Sequence, residues 1–192
     1  MGELQMKMNF EQVESYAVWR THLDCGDLSE EIKLETVVDS TNRANKYNLS
    51  TNQPNISAIH QYILSDEFKQ SVIDAILQYK FIERLYPASF LNNLSSYTKI
   101  GHCFHKQGQD KHHLHLDHRT NIAQGLIYFD KHHNPLHSTR VHPKPGVKIE
   151  SNTESGNGIM MLNTENSWHE GGNLDTDDRY FLLYSLELSL KE

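Results

Sequence analysis

The chain has 192 residues, a formal net charge of −7 and 37% hydrophobic residues, with five prolines, ten glycines and no low-complexity tract. That length buries a core within one domain, and the composition excludes a disordered chain and, by the sign of the charge, a general nucleic-acid binder. No apolar run approaches the roughly 20 residues of a transmembrane helix, so no membrane partner is expected.

The opening MGELQMKMNF lacks the apolar stretch and cleavage site of a signal peptide, and it carries no acylation signal. Residues 1–50 are acidic and only weakly periodic, and helices or loops are expected there. The two cysteines, Cys25 and Cys103, form no CxxC and no disulfide framework, which fits a reducing, cytoplasmic setting. Cys103, inside TKIGHCF, reads as a small buried side chain. TNQPN at 51–55 is turn chemistry. Ile56, Ile59 and Ile63 then recur at helical spacing. Ser65 is placed to cap a helix whose first turn carries Asp66 and Glu67. Phe68, Val72, Ile76 and Tyr79 follow as one apolar stripe, so the spacing predicts a helix over 66–80, with Pro87 closing that region.

After residue 96 the segments become short, rich in Ile, Tyr, Phe and Leu, and separated by Gly, Pro, Asn and Asp. Strands are predicted near 96–104, 122–129, 146–150, 158–163 and 179–189. In the last of these, Arg179, Phe181, Leu183, Ser185 and Glu187 share one face. Tyr180, Leu182, Tyr184, Leu186 and Leu188 share the other, an apolar face suited to packing on the preceding helices. Helices followed by many short strands imply an α+β domain with a sandwich or barrel of antiparallel strands. Charge is uneven. Residues 99–148 carry eight Lys or Arg against three Asp, a net +5, and ten of the thirteen histidines. Lys131, Arg140 and Lys144 lie in this segment, which points to a cavity that receives an anion.

KHHLHLDHRT (111–120) contains His115 and Asp117 two residues apart. In an extended segment these side chains face the same way and can chelate one ion. His169, in LNTENSWHEGG, supplies a distant second imidazole. Two imidazoles and a carboxylate form the facial ligand set that suits Fe(II) and leaves coordination positions open. His112, His113 and His118 crowd the same stretch and read as a surface cluster. Arg179 opens the last predicted strand, and its guanidinium fork suits a carboxylate of a small acid. The competing reading of Arg179 is an ion pair with Asp175, Asp177 or Asp178.

The order His115-x-Asp117, His169, Arg179 resembles the 2-oxoglutarate- and Fe(II)-dependent oxygenase superfamily, in particular its prolyl 4-hydroxylase-like branch. GLIYFD (125–130) resembles the strand after that branch's H-x-D motif. GNGIMMLNTENSWHEGG (156–172) resembles the segment around its distal histidine, and RYFLLYSLEL (179–188) the strand carrying its co-substrate arginine. Where the branch often has Gly-Gly-x-Leu, this chain has NPLHSTRVHP (134–143). The likeness covers roughly residues 96–189. It implies a double-stranded β-helix, or jelly roll, over 96–192, with 1–95 as a helical support region packed on the major sheet, all within one domain. It further implies Fe(II) held by His115, Asp117 and His169, 2-oxoglutarate as co-substrate and O2 as oxidant. Arg179 would bind the co-substrate and Tyr128 would add a hydrogen bond to it, the alternative for Tyr128 being an ordinary core aromatic. Because Asp117 fills the third protein position, hydroxylation is expected rather than halogenation.

The expected substrate is an anionic small molecule, with a protein side chain, as in prolyl hydroxylation, as the second choice. A nucleic-acid substrate is not expected, since no basic stripe interleaved with aromatics is present. A cupin-like or zinc-dependent site built on His113-Leu114-His115 would want a Glu shortly after, where Arg119 and Thr120 stand. A non-enzymatic metal- or sugar-binding jelly roll would bind several ions loosely. Oligomeric state leaves no mark in the sequence.

Overall fold

The computed structural model describes residues 6–28, 34–35, 48–49, 54–87, 96–105, 113–117, 121–172 and 179–188. Strands β1 (Met8–Gln12), β2 (Val18–Leu23), β3 (Leu34–Glu35) and β4 (Asn48–Leu49) come first. Helices α1 (Pro54–Ile63), α2 (Asp66–Leu77) and α3 (Ile82–Leu85) follow. The chain then forms β5 (Ser96–His105), β6 (Asn121–Tyr128), β7 (Arg140–Lys144), β8 (Val147–Glu150), β9 (Asn157–Leu162), β10 (Trp168–Glu170) and β11 (Arg179–Leu188).

Helix α2 starts as its sequence requires. Ser65 is extended (φ −76°, ψ 155°), and its hydroxyl accepts from Phe68 N at 3.1 Å. Phe68, Val72, Ile73 and Ile76 are buried along one face. The five predicted strands correspond to β5, β6, β8, β9 and β11.

The N-terminal expectation needs correction. Residues 8–23 form the hairpin β1–β2, not helices or loops, and β2 pairs with β9. In β2, exposed Arg20 and His22 alternate with buried Trp19, Thr21 and Leu23, so the period is two. Two further strands, β7 and β10, had no forecast. Pro143 lies where the β7–β8 register shifts, between Val141 and Lys144, a position that tolerates a missing N–H. β10 has three residues, too few to show a period.

Six strands form one sheet in the order β1-β2-β9-β6-β11-β5, and β10-β7-β8 form a second. All pairs of the described strands are antiparallel. The larger sheet buries both faces. Trp19, Ile127, Met160, Leu182, Tyr184 and Leu186 share an apolar cluster with Ile59, Ile63, Phe68 and Ile76 of the helices. Phe68 and Tyr184 meet edge to face at 5.1 Å between centroids. On the opposite face, Leu126, Tyr128, Ile159, Met161 and Phe181 cluster with Val141 and Ile149 of the smaller sheet. The two faces of β11 thus serve two different clusters, as their alternation predicts. No described helix is long and apolar enough to cross a membrane.

Candidate metal and anion site

His115 and His169 face each other as an antiparallel bridge. His115 N donates to His169 O at 2.9 Å, and His169 N donates to His115 O at 3.0 Å. Residues paired in this way project their side chains from one face, and the imidazole centroids lie 4.3 Å apart. Asp117, two residues beyond His115, joins them. Its carboxylate lies 4.0 Å from His115 Nε2 and 3.7 Å from His169 Nε2. One ligand atom from each of the three lies within 4.8 Å of the others, the arrangement a single metal ion needs.

Each imidazole is oriented by its other nitrogen. His115 Nδ1 donates to His113 O at 2.7 Å, and His169 Nδ1 donates to Ser167 O at 2.9 Å. A carbonyl only accepts, so Nδ1 carries the proton and Nε2 turns a lone pair toward the cluster. His169 is 5% exposed. Burial holds its pKa below the ordinary histidine value and outweighs the opposing pull of Ser167 O and Asp117, with His115 acting in the same direction as burial. A neutral imidazole is the ligating form, so burial favours metal binding.

His113, a neighbour in the sequence, is exposed and lies outside this group, contributing its carbonyl instead. The H-x-H pair His113 and His115 is therefore not assembled as a ligand pair. His112 and His118 lie outside the described residues.

Arg179 opens β11 with 2% exposure. Its Nη2 donates to Thr139 Oγ1 at 2.8 Å and to Tyr128 OH at 3.1 Å. The guanidinium carbon stands 4.5 Å from the Phe181 ring centroid and 5.3 Å from that of Tyr128. Arg179 Nε is buried without a hydrogen-bond partner, and no carboxylate pairs with this side chain among the described residues. Asp175, Asp177 and Asp178 lie outside the described residues. A buried cation with an unpaired donor calls for an anion.

Tyr128 belongs both to the apolar cluster between the sheets and to the hydrogen-bond group around Arg179. Its hydroxyl donates to Thr139 Oγ1 at 2.7 Å and accepts from Thr139 N at 3.2 Å. Ser151 Oγ also accepts from Thr139 N, at 2.9 Å. Thr139 and Ser151 escaped the sequence reading because a Thr or Ser alone announces nothing. The only available signal was that Thr139 precedes Val141 by two residues and so shares its inward face. Val141 pairs with His169, which turns Thr139 and His169 to the same side of the smaller sheet.

Among the described residues, Lys131, Arg140 and Lys144 of the basic segment do not collect here. Arg140 bonds Glu150 at 2.9 Å, Lys144 lies 5.5 Å from the Tyr16 ring centroid, and Lys131 borders a groove with Asp24, Asp27 and Glu154.

No family model matches the chain, and no curated protein does. Among solved structures it is similar to a prolyl-4-hydroxylase from Pseudomonas putida, with TM-score 0.46 and 16% identity over 62% of this chain and 65% of that one. The chain therefore spans a little under two thirds of that protein. It is also similar to an oxidoreductase of the 2OG-Fe(II) oxygenase family from Burkholderia pseudomallei, with TM-score 0.45 and 12% identity over 93% of this chain and 71% of that one. A third is a prolyl hydroxylase from Trichoplax adhaerens in complex with a hypoxia inducible factor peptide fragment, with TM-score 0.49 and 13% identity over 84% and 69%.

Proposed function

We propose that the chain is a 2-oxoglutarate- and Fe(II)-dependent dioxygenase of the prolyl 4-hydroxylase-like branch, folded as a double-stranded β-helix over 96–192 whose larger sheet is extended by residues 8–23 and supported by the helices of residues 54–85. The observation that carries this reading is the convergence of His115, Asp117 and His169, both imidazoles having Nδ1 fixed by a carbonyl and Nε2 turned toward the Asp117 carboxylate. Two nitrogens and a carboxylate oxygen suit Fe(II), and three protein ligands leave room for a chelating co-substrate and O2. Arg179, with its unpaired Nε, is the group that would receive the far carboxylate of 2-oxoglutarate. Tyr128 and Thr139 hold that guanidinium in place. When bound, iron and 2-oxoglutarate supply an oxidation in which O2 is consumed, the keto acid becomes succinate and carbon dioxide, and the substrate gains a hydroxyl. The protein's part is to fix the ligands, neutralise the dicarboxylate and surround it with apolar side chains such as Phe181 and Val141.

The substrate in this proposal is an anionic small molecule, on the strength of the +5 charge of residues 99–148, although Arg140, Lys144 and Lys131 are engaged elsewhere, and a protein side chain fits the site equally well. Three measurements test the reading. The first is anaerobic Fe(II) binding. His115→Ala, Asp117→Ala and His169→Ala should each abolish it, and in wild type it should decline in acid, at a pH below the ordinary histidine range, as buried His169 protonates. The second is succinate formation against metabolite and peptide panels. Stimulation by peptides alone would replace the small-molecule substrate with a protein side chain, and no succinate under any condition would end the proposal. Arg179→Ala should weaken 2-oxoglutarate binding roughly 10- to 100-fold, the worth of a charge-assisted pair, while leaving iron affinity unchanged.

A further inference from the structure

The loop between β6 and β7 contains a buried pair with no part in the ligand set. His137 Nδ1 donates to Asp130 Oδ2 at 2.9 Å, and their side chains are 4% and 9% exposed. His137 Nε2 is buried and has no hydrogen-bond partner among the described residues. A fold seldom keeps a buried, half-satisfied imidazole on a buried carboxylate unless the pair fixes something.

What it fixes is legible in the chain. Asp130 lies two residues after Tyr128, and His137 two residues before Thr139. The pair therefore ties together the two strand ends that grip Arg179. Asp130 is itself anchored at both backbone groups, its N donating to Thr153 O at 3.1 Å and its O accepting from Ser155 N at 2.8 Å. A third strand end meets the same point. Gly172, three residues after His169, lies so close that a Cβ there would overlap Leu136 O and come within 2.9 Å of His137 C. Segments leading from Tyr128, to Thr139 and from His169 thus converge on one Asp–His contact.

We infer that His137 and Asp130 are positioning residues for the anion pocket, holding Tyr128 and Thr139 in the geometry that aims the Arg179 guanidinium at a dicarboxylate. This inference rests on the function proposed above. Neither residue touches a ligand. They act through the two hydroxyls that bond Arg179 Nη2.

The test is calorimetric titration of 2-oxoglutarate into the anaerobic Fe(II)-loaded chain, with Fe(II) affinity measured separately. His137→Leu keeps volume and removes the donor. It should weaken 2-oxoglutarate about tenfold or more through misplacement of its receptor groups, with iron affinity unchanged. His137→Asn, whose amide N–H replaces Nδ1, should recover most of the loss. The inference is overturned if His137→Leu binds 2-oxoglutarate like wild type, if iron and 2-oxoglutarate affinities fall together, or if His137→Asn is as impaired as His137→Leu. Should His137→Leu fail to fold, Asp130→Asn decides, since its amide oxygen accepts more weakly. A several-fold loss specific to 2-oxoglutarate supports the inference and unchanged affinity overturns it. Failure of the functional reading looks different, because wild type would then bind no 2-oxoglutarate, or Arg179→Ala would bind it equally well.

Discussion

Asp117 and the two histidines owe their convergence to backbone geometry before any side-chain choice. The bridge fixes His115 against His169, and the alternation of an extended segment brings Asp117 to the same side. These residues, with Arg179, could be picked from the sequence because imidazole, carboxylate and guanidinium at such spacing carry distinctive chemistry. Thr139 could not, because a hydroxyl has many ordinary uses and its importance lies in what it touches. Cys25 offers a residue-scale prediction of another kind. Burial, reinforced by Asp24 and Asp27, pushes its thiol from 9.0 up to about 11. The folded chain holds this proton more tightly than the unfolded chain does. The stability it supports is therefore complete below pH 9.0 and is lost as pH rises toward 11. Urea midpoints across that window should fall more steeply for wild type than for Cys25→Ala. Parallel slopes would show that Cys25 is more open than its burial indicates.

At the scale of elements, local signals decide which segments can be read in advance. Helix α2 was legible because its cap, first-turn acids and apolar stripe agree. Ser65→Ala should cost about 1 kcal/mol of stability, the usual worth of such a cap, measurable in chemical unfolding. The hairpin β1–β2 was missed because Met8–Gln12 is an edge strand whose exposed residues blur its pattern. β7 was hidden by Pro143, a residue that argues against a central strand until the register shift beside it is known. β9 illustrates a tighter constraint. A Cβ on Gly158 would overlap Leu126 O and stand 2.6 Å from Thr21 Oγ1, where neighbouring strands leave no space. Gly158→Ala should therefore lower stability by about 1–3 kcal/mol through overpacking, and a thermal melt unchanged from wild type would contradict the register of β2, β9 and β6.

For the whole molecule, the central fact is a sheet with two occupied faces. One packs on helices and holds no candidate ligand. The other, with the smaller sheet, encloses Arg179, Tyr128 and Thr139. The alternation in β11 announced this division, though it could not show that residues 8–23 would extend the same sheet. The division separates stability from chemistry. Leu182, 0% exposed on the helix side, should cost about 2–5 kcal/mol when cut to Ala and leave the proposed 2-oxoglutarate binding nearly unchanged in the variant that remains folded. A proportional loss of both would mean that the two faces are mechanically coupled.

The reciprocal amide bonds between His115 and His169 have one more consequence. Both protons are sequestered by the same contact, so neither can exchange with deuterium unless the mouth of the sandwich unzips there. Their exchange rates should match each other and slow in step as an ion is added, giving a clock for opening that needs neither substrate nor oxygen.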